Sequence, residues 1–71
     1  MEEYNRMLIE EYCQSHNDAA SRRLAKLVRK SYNLSSTISD ADALFLATLI
    51  DNTEDARFAE ALRDLDDYYC V

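Results

Sequence analysis

The sequence contains neither glycine nor proline in its 71 residues. The tight turns that join β-strands need residues that tolerate positive φ angles, and glycine is the usual choice. Alanine, leucine, glutamate and arginine, which are good helix formers, are frequent instead. The sequence therefore predicts an all-α fold: a bundle of three to four short helices forming a single domain over residues 1–71, with turns built from Asn, Ser, Asp and Thr.

Three short polar segments predict where helices begin. Each places a Ser or Asn three residues before a carboxylate, and such a pair can satisfy the free amides of a helix start. The three pairs are Ser15 with Asp18, Ser39 with Asp42, and Asn52 with Asp55. They predict helices beginning near residues 18, 40 and 54, after a first helix over about 2–14. They also favour a break between the third and fourth helices over one continuous rod.

Apolar side chains recur at helical spacing along the first, second and fourth segments, so each predicted helix has one face for a core. The third segment adds further apolar residues. The expected core residues are Leu8, Leu24, Leu27, Val28, Leu44, Phe45, Leu49, Phe58, Leu62 and Leu65.

The third helix is apolar around most of its circumference, with eight apolar residues among the ten from 41 to 50. Such a helix must be covered on nearly every side, and three short neighbours cover it poorly. We therefore expect a homodimer or higher oligomer whose interface includes Leu46, Leu49 and Ile50. In the alternative, the other helices splay around the third helix and a monomer is adequate.

Charge is segregated along the chain, although the net charge is −6. Residues 1–21 carry −4, residues 22–34 carry +5 and residues 35–71 carry −7. The cations of the second segment share one helix face: Arg22, Arg23, Lys26, Arg29 and Lys30. This basic face either contacts nucleic-acid phosphates, docks onto an acidic protein surface, or is a solvated face that pairs with acidic residues of the first and fourth helices. The rest of the chain is acidic and would repel nucleic acid, which makes the nucleic-acid interpretation the least favoured of the three.

The end of the fourth helix offers a second candidate surface. Asp64, Asp66 and Asp67 lie where the helix dipole disfavours carboxylates, so stability alone does not explain them. They either present a negative surface to a basic partner or form a solvated face. Tyr68 lies off the apolar stripe and is the best single candidate for a partner contact, whereas the other four tyrosines can close the core from its rim.

Catalysis and metal binding find little support. Cys13, His16 and Cys70 provide three zinc ligands where a structural site needs four, so we expect no cofactor and two reduced thiols. The sequence has one His and no Gly-rich phosphate loop, and so short a chain leaves little room for a pocket of several hundred Å3. We therefore expect a protein that is not an enzyme.

The function expected from these features is protein binding. Small acidic helical chains are frequent among phage- or plasmid-borne inhibitors and secretion chaperones, which is an analogy of class alone. The chain is thus expected to be a stoichiometric inhibitor or adaptor of a larger protein or complex. The alternative is a nucleic-acid-associated regulator that uses the basic face. An acidic N-terminus and the lack of an apolar run of about 20 residues predict a cytoplasmic protein outside the membrane.

Overall fold

Four helices form the chain in the computed structural model, which describes residues 1–33 and 37–69. They are α1 (Glu3–Ser15), α2 (Ala19–Lys30), α3 (Asp40–Asn52) and α4 (Ala56–Tyr69). No strand occurs within the described residues. The all-α prediction is confirmed, and the helices begin within two residues of the predicted positions.

Each of the last three helices begins at a side-chain cap. The Ser39 hydroxyl accepts the amide of Asp42 at 3.2 Å, as predicted. At the other two starts the carboxylate of the predicted pair is itself the cap. Asp18 accepts the amide of Ser21 at 2.7 Å, and this hydrogen bond lowers the pKa of Asp18. The Asp55 carboxylate accepts hydrogen bonds from the backbone amides of Arg57 and Phe58, at 3.0 and 3.1 Å.

The break between α3 and α4 is confirmed. Residues 53–55 are not helical, and the backbone of Thr53 is extended. The Thr53 amide still donates to the Leu49 carbonyl at 3.0 Å, which closes the last turn of α3. Because Asp55 then caps a new helix, α4 can take a direction of its own.

The core lies where α1 packs against α2 and α4, and where α3 packs against α4. Most of the predicted core residues are buried or packed against this core, and Ile9 and Ala61 join them. The buried apolar side chains are Ile9, Leu24, Leu27, Val28, Leu46, Phe58, Ala59, Ala61, Leu62 and Leu65. The Cα radius of gyration of 11.0 Å equals what a folded chain of this length has.

The orientation of α3 differs from the prediction. Leu44, expected in the core, is 69% exposed, whereas Leu46, expected at an oligomer interface, is fully buried. Two residues along a helix are about 200° apart, so the two side chains point in nearly opposite directions. The assignment was wrong because a helix that is apolar on all sides carries no pattern that selects its inner face.

Much of the remaining apolar surface of α3 is covered by the chain itself. Phe45, Leu49 and Ile50 are half-buried and pack against the core. Arg23 of α2 lies over the Phe45 ring at 4.5 Å and forms an ion pair with Asp42 at 2.9 Å. Self-association therefore stays a prediction, and the large side chain that α3 leaves to solvent is Leu44 rather than Leu46.

A polar contact joins the start of α1 to α4. The Asp64 carboxylate accepts the Asn5 side-chain amide at 2.8 Å and the Glu2 backbone amide at 2.9 Å. Asn5 is only 5% exposed, so its amide depends on this partner. Asp64 thus satisfies one of the free amides at the beginning of α1, where no side chain of that helix does so.

A tyrosine near the end of α4 joins it to α2. The Tyr69 hydroxyl donates to the Leu27 carbonyl, and burial, followed by the nearby Tyr68 and Asp42, raises the pKa of Tyr69 to about 12. The folded state therefore favours the neutral phenol more than the unfolded state does.

We expect alkaline pH to weaken the fold through Tyr69. A raised pKa contributes stability that is complete below the ordinary value of 10 and is lost between about pH 10 and 12. Tyr69→Phe should lower the free energy of unfolding by about 0.5–1.5 kcal/mol at neutral pH. On going to high pH, the variant should lose less of this free energy than the wild type does. Urea unfolding at pH 8 and pH 11 measures both effects, and equal alkaline losses in the two proteins contradict the assignment.

No helix among the described residues is long and apolar enough to cross a membrane.

Candidate functional site

A groove of about 610 Å3 opens between the end of α1, the end of α3 and the beginning of α4. It forms because α1 and α3 both pack on α4 while α1 and α3 make little contact with each other. Its lining residues are Leu8, Glu11, Tyr12, Ser15, His16, Leu49, Asn52, Thr53, Glu54, Asp55, Phe58 and Leu62. The expectation that so short a chain lacks room for a pocket of several hundred Å3 was wrong.

The floor of the groove is apolar. Leu62 and Phe58 of α4 are buried beneath it, while Leu8 of α1 and Leu49 of α3 are half-buried at its sides. These four side chains come from three helices and line the bottom and sides of the groove. A ligand covering them would gain about 25 cal/mol for each Å2 of apolar surface removed from water.

Aromatic rings form one wall of the groove. The ring of Tyr12 packs on Phe58 with centroids 4.5 Å apart, and the ring of His16 stacks on Tyr12 at 3.9 Å. His16 is also held by its Nδ1 atom, which lies 2.9 Å from the Tyr12 carbonyl. Since Tyr12 and His16 stay exposed, this wall presents flat apolar surface with polar edges, a combination enriched where proteins bind partners.

The rim of the groove is acidic. Glu11, Glu54 and Asp55 contribute carboxylates, and none of the described lining residues is Lys or Arg. Asp55 is already engaged as the cap of α4, so Glu11 and Glu54 are the exposed carboxylates available to a ligand.

The predicted basic face does exist on α2, and it lies apart from the lining of the groove. Of its five cations, Arg23 is ion-paired with α3 rather than with α1 or α4. Arg22 donates to the carbonyl and side chain of Asn17 at 3.3 and 3.4 Å. The remaining three are exposed, without an ion pair in the described part of the chain: Lys26, Arg29 and Lys30.

The acidic end of α4 is partly used within the fold. Asp64 holds the start of α1, so it is not a carboxylate free for a partner. Asp66 is half-buried and Asp67 is exposed. Tyr68 is half-buried, donates its hydroxyl to the Asn33 carbonyl at 3.2 Å, and meets the Tyr69 ring edge-on at 5.2 Å. These residues lie at the opposite end of α1 from the groove, because Asp64 contacts the beginning of that helix.

Cys13 is a half-buried free thiol, and burial, followed by Asp18 and Glu10, raises its pKa. Cys70 lies outside the described residues. The prediction that both cysteines stay reduced and bind no metal therefore stays a prediction. Within 1–33 and 37–69, no three His, Cys, Asp or Glu side chains are grouped to hold a metal ion.

The sequence did not predict the groove, although it placed several of its residues in other roles. Phe58, Leu62 and Leu8 were expected in the core, and His16 entered only as a metal ligand. Local spacing cannot reveal a space between helices that are distant in sequence.

Tyr4 lies on α1 outside the lining of the groove. It precedes Leu8 and Tyr12 at four-residue intervals, is 63% exposed, and lies under the guanidinium of Arg57 at 4.9 Å. From Tyr4 to His16 the surface of α1 runs about 18 Å, the length of roughly twelve helical residues.

Comparison with protein-family models, curated proteins and solved structures gives no match to this chain.

Proposed function

We propose that this chain is a protein-binding module that acts as a stoichiometric inhibitor or adaptor of a larger protein or complex. The observation that carries the proposal is the groove between α1, α3 and α4, which opens to solvent and is lined in part by apolar side chains of all three helices. Concave sites that combine an apolar lining with a few polar groups are where proteins usually bind ligands, and this groove has that composition.

A helix of the partner is the structural element that fits this site. The groove is lined by three helices, and its apolar side chains occur together with polar ones from each of the elements that meet there. An amphipathic helix laid into such a groove places apolar side chains at i, i+3, i+4 and i+7 onto the floor. The exposed rings of Tyr12 and His16 then contact one side of that helix. Capture of one helix in this way blocks it from its own partners, which is how a stoichiometric inhibitor acts.

The test is a pull-down from cell lysate with matched variants of the groove. Ser15→Trp places a large ring at the groove, on an exposed position whose side chain hydrogen-bonds to the Glu11 carbonyl one turn earlier, and Ser15→Ala, which loses the same hydrogen bond, is the control. We expect wild type and Ser15→Ala to capture the same protein after nuclease treatment, and Ser15→Trp to weaken capture about tenfold or more. Circular dichroism confirms that both variants stay folded. Equal capture by all three proteins contradicts the proposal.

Nucleic-acid binding is the second candidate, favoured by the exposed cations of α2 that have no ion pair among the described residues. A regulator that used Arg22, Lys26, Arg29 and Lys30 would bind nucleic acid with a log–log salt slope of about −3 to −4. A gel shift with the double variant Arg22→Glu/Lys26→Glu separates the two functions. We expect the pull-down partner to be retained by this variant, whereas a nucleic-acid complex would be lost.

A further inference from the structure

We infer that the groove selects a helix whose apolar face is flanked by Lys or Arg, so that the partner segment is a basic amphipathic helix. This inference rests on the proposed function and adds the chemistry of the partner to it. Two independent features of the groove determine the sign of the charge that fits: the side chains on its rim and the helix ends that meet there.

The rim places carboxylates beside the apolar floor. Glu11 lies on α1 and Glu54 lies in the segment before α4, so they approach a bound helix from two different elements. Both side chains are exposed and have no ion pair in the described chain. A Lys or Arg that flanks an apolar anchor can pair with them, whereas a Glu or Asp at the same position would be repelled.

The ends of α1 and α3 that meet at the groove also favour positive charge on the partner. α1 ends at Ser15 and α3 ends at Asn52, and both residues line the groove. The carboxyl end of each helix carries a partial negative charge, equivalent to about half an elementary charge. Neither helix has a basic residue in its last turn to offset it. The positive end of α4 also lies here, but its own Asp55 already caps it.

Other occupants fit less well. The chain's own α2 is basic, but its large apolar residues Leu24, Leu27 and Val28 are buried in the core, so α2 of a second copy has no anchor for the floor. An acidic partner would meet like charge on the rim and at both helix ends. A purely cationic segment, such as a basic tail without apolar residues, would leave Leu8, Leu49 and Phe58 uncovered. A basic amphipathic helix satisfies the floor and the rim together.

Synthetic peptides test the inference directly. Fluorescein-labelled helical peptides of about 18 residues share one Leu/Phe face and differ only at the flanking positions, which carry Lys or Glu. A third peptide keeps the Lys residues and has Ser in place of Leu and Phe. By fluorescence anisotropy, we expect the Lys-flanked peptide to bind about tenfold more tightly than the Glu-flanked one, and the Ser peptide not to bind.

The variants identify the site of binding. In Glu11→Gln/Glu54→Gln the preference for Lys should fall to about twofold to threefold, because the helix ends remain. Asp40→Asn removes an exposed carboxylate at the beginning of α3, the end of that helix away from the groove; it is the charge control and should keep the full preference. Ser15→Trp should weaken binding of the apolar peptides whatever their charge.

The outcomes distinguish failure of the inference alone from failure of the proposed function as well. If the Lys and Glu peptides bind equally and Ser15→Trp weakens both, the charge selection is wrong and the protein-binding groove stands. If no peptide binds, or if Ser15→Trp binds as the wild type does, both are overturned. Sedimentation equilibrium of the chain alone adds the last outcome: an oligomer that Ser15→Trp converts to monomer means that a second copy occupies the groove, which overturns the inference.

Discussion

Replacing Leu46 by alanine should lower the free energy of unfolding by about 2–5 kcal/mol, the range for a leucine truncated in a fully buried site. Leu46 has no exposed surface and belongs to the core cluster. Small domains have about 5–15 kcal/mol of total stability, so this one substitution removes a large fraction of it. Urea unfolding followed by circular dichroism measures the change.

Leu44→Ala is the matched control, two residues away on the same helix. Leu44 is 69% exposed, so its truncation should change the free energy of unfolding by no more than about 0.5 kcal/mol. The comparison also decides the orientation of α3. If the Leu44 variant is the less stable of the two, α3 presents the opposite face to the core. Because Leu46 is fully buried, Leu46→Glu should unfold the chain rather than dissociate an oligomer, so Leu44→Glu is the substitution with which to test self-association.

Asp64→Ala should destabilise the fold by about 1.5–3 kcal/mol, the usual effect of losing hydrogen bonds to a charged group. The carboxylate of Asp64 accepts two hydrogen bonds, from Asn5 and from the Glu2 backbone. Without it, the nearly buried amide of Asn5 and a free amide at the start of α1 lose their partner. Asp67→Ala on the exposed side of α4 is the control and should be neutral within about 0.5 kcal/mol.

The effect of Asp64→Ala should also depend on pH. Burial raises the pKa of Asp64, but hydrogen bonds from Asn5 and Glu2, helped by the N-terminal ammonium and Arg6, lower it below the ordinary value of 3.8. A lowered pKa contributes stability that is complete above the unfolded value and is lost as pH falls through the folded one. The difference between wild type and variant should therefore be full at pH 6 and shrink below pH 4. A difference that grows on acidification contradicts this account.

Local features of the sequence were sufficient to predict the helices. Asp18, Ser39 and Asp55 mark the starts of α2, α3 and α4 because a cap acts on amides within the next three residues. The inner faces of α2 and α4 were also predictable, since each carries one apolar stripe and one polar face. These are properties of one short segment, and a segment keeps them wherever it packs.

The candidate site depended on the tertiary structure. The packing of helices that are distant in sequence decides three features of the site. It determines which side of α3 meets the core, whether Asp64 contacts Asn5 or solvent, and where a space is left between α1 and α3 next to Phe58. The residues that line the groove are of the same types as ordinary core and surface residues, so their identity alone does not mark a site. The sequence alone therefore determined the helices and the acidic balance of the chain, while the packing of α1 and α3 on α4 decided which apolar side chains became a floor and which carboxylates became its rim.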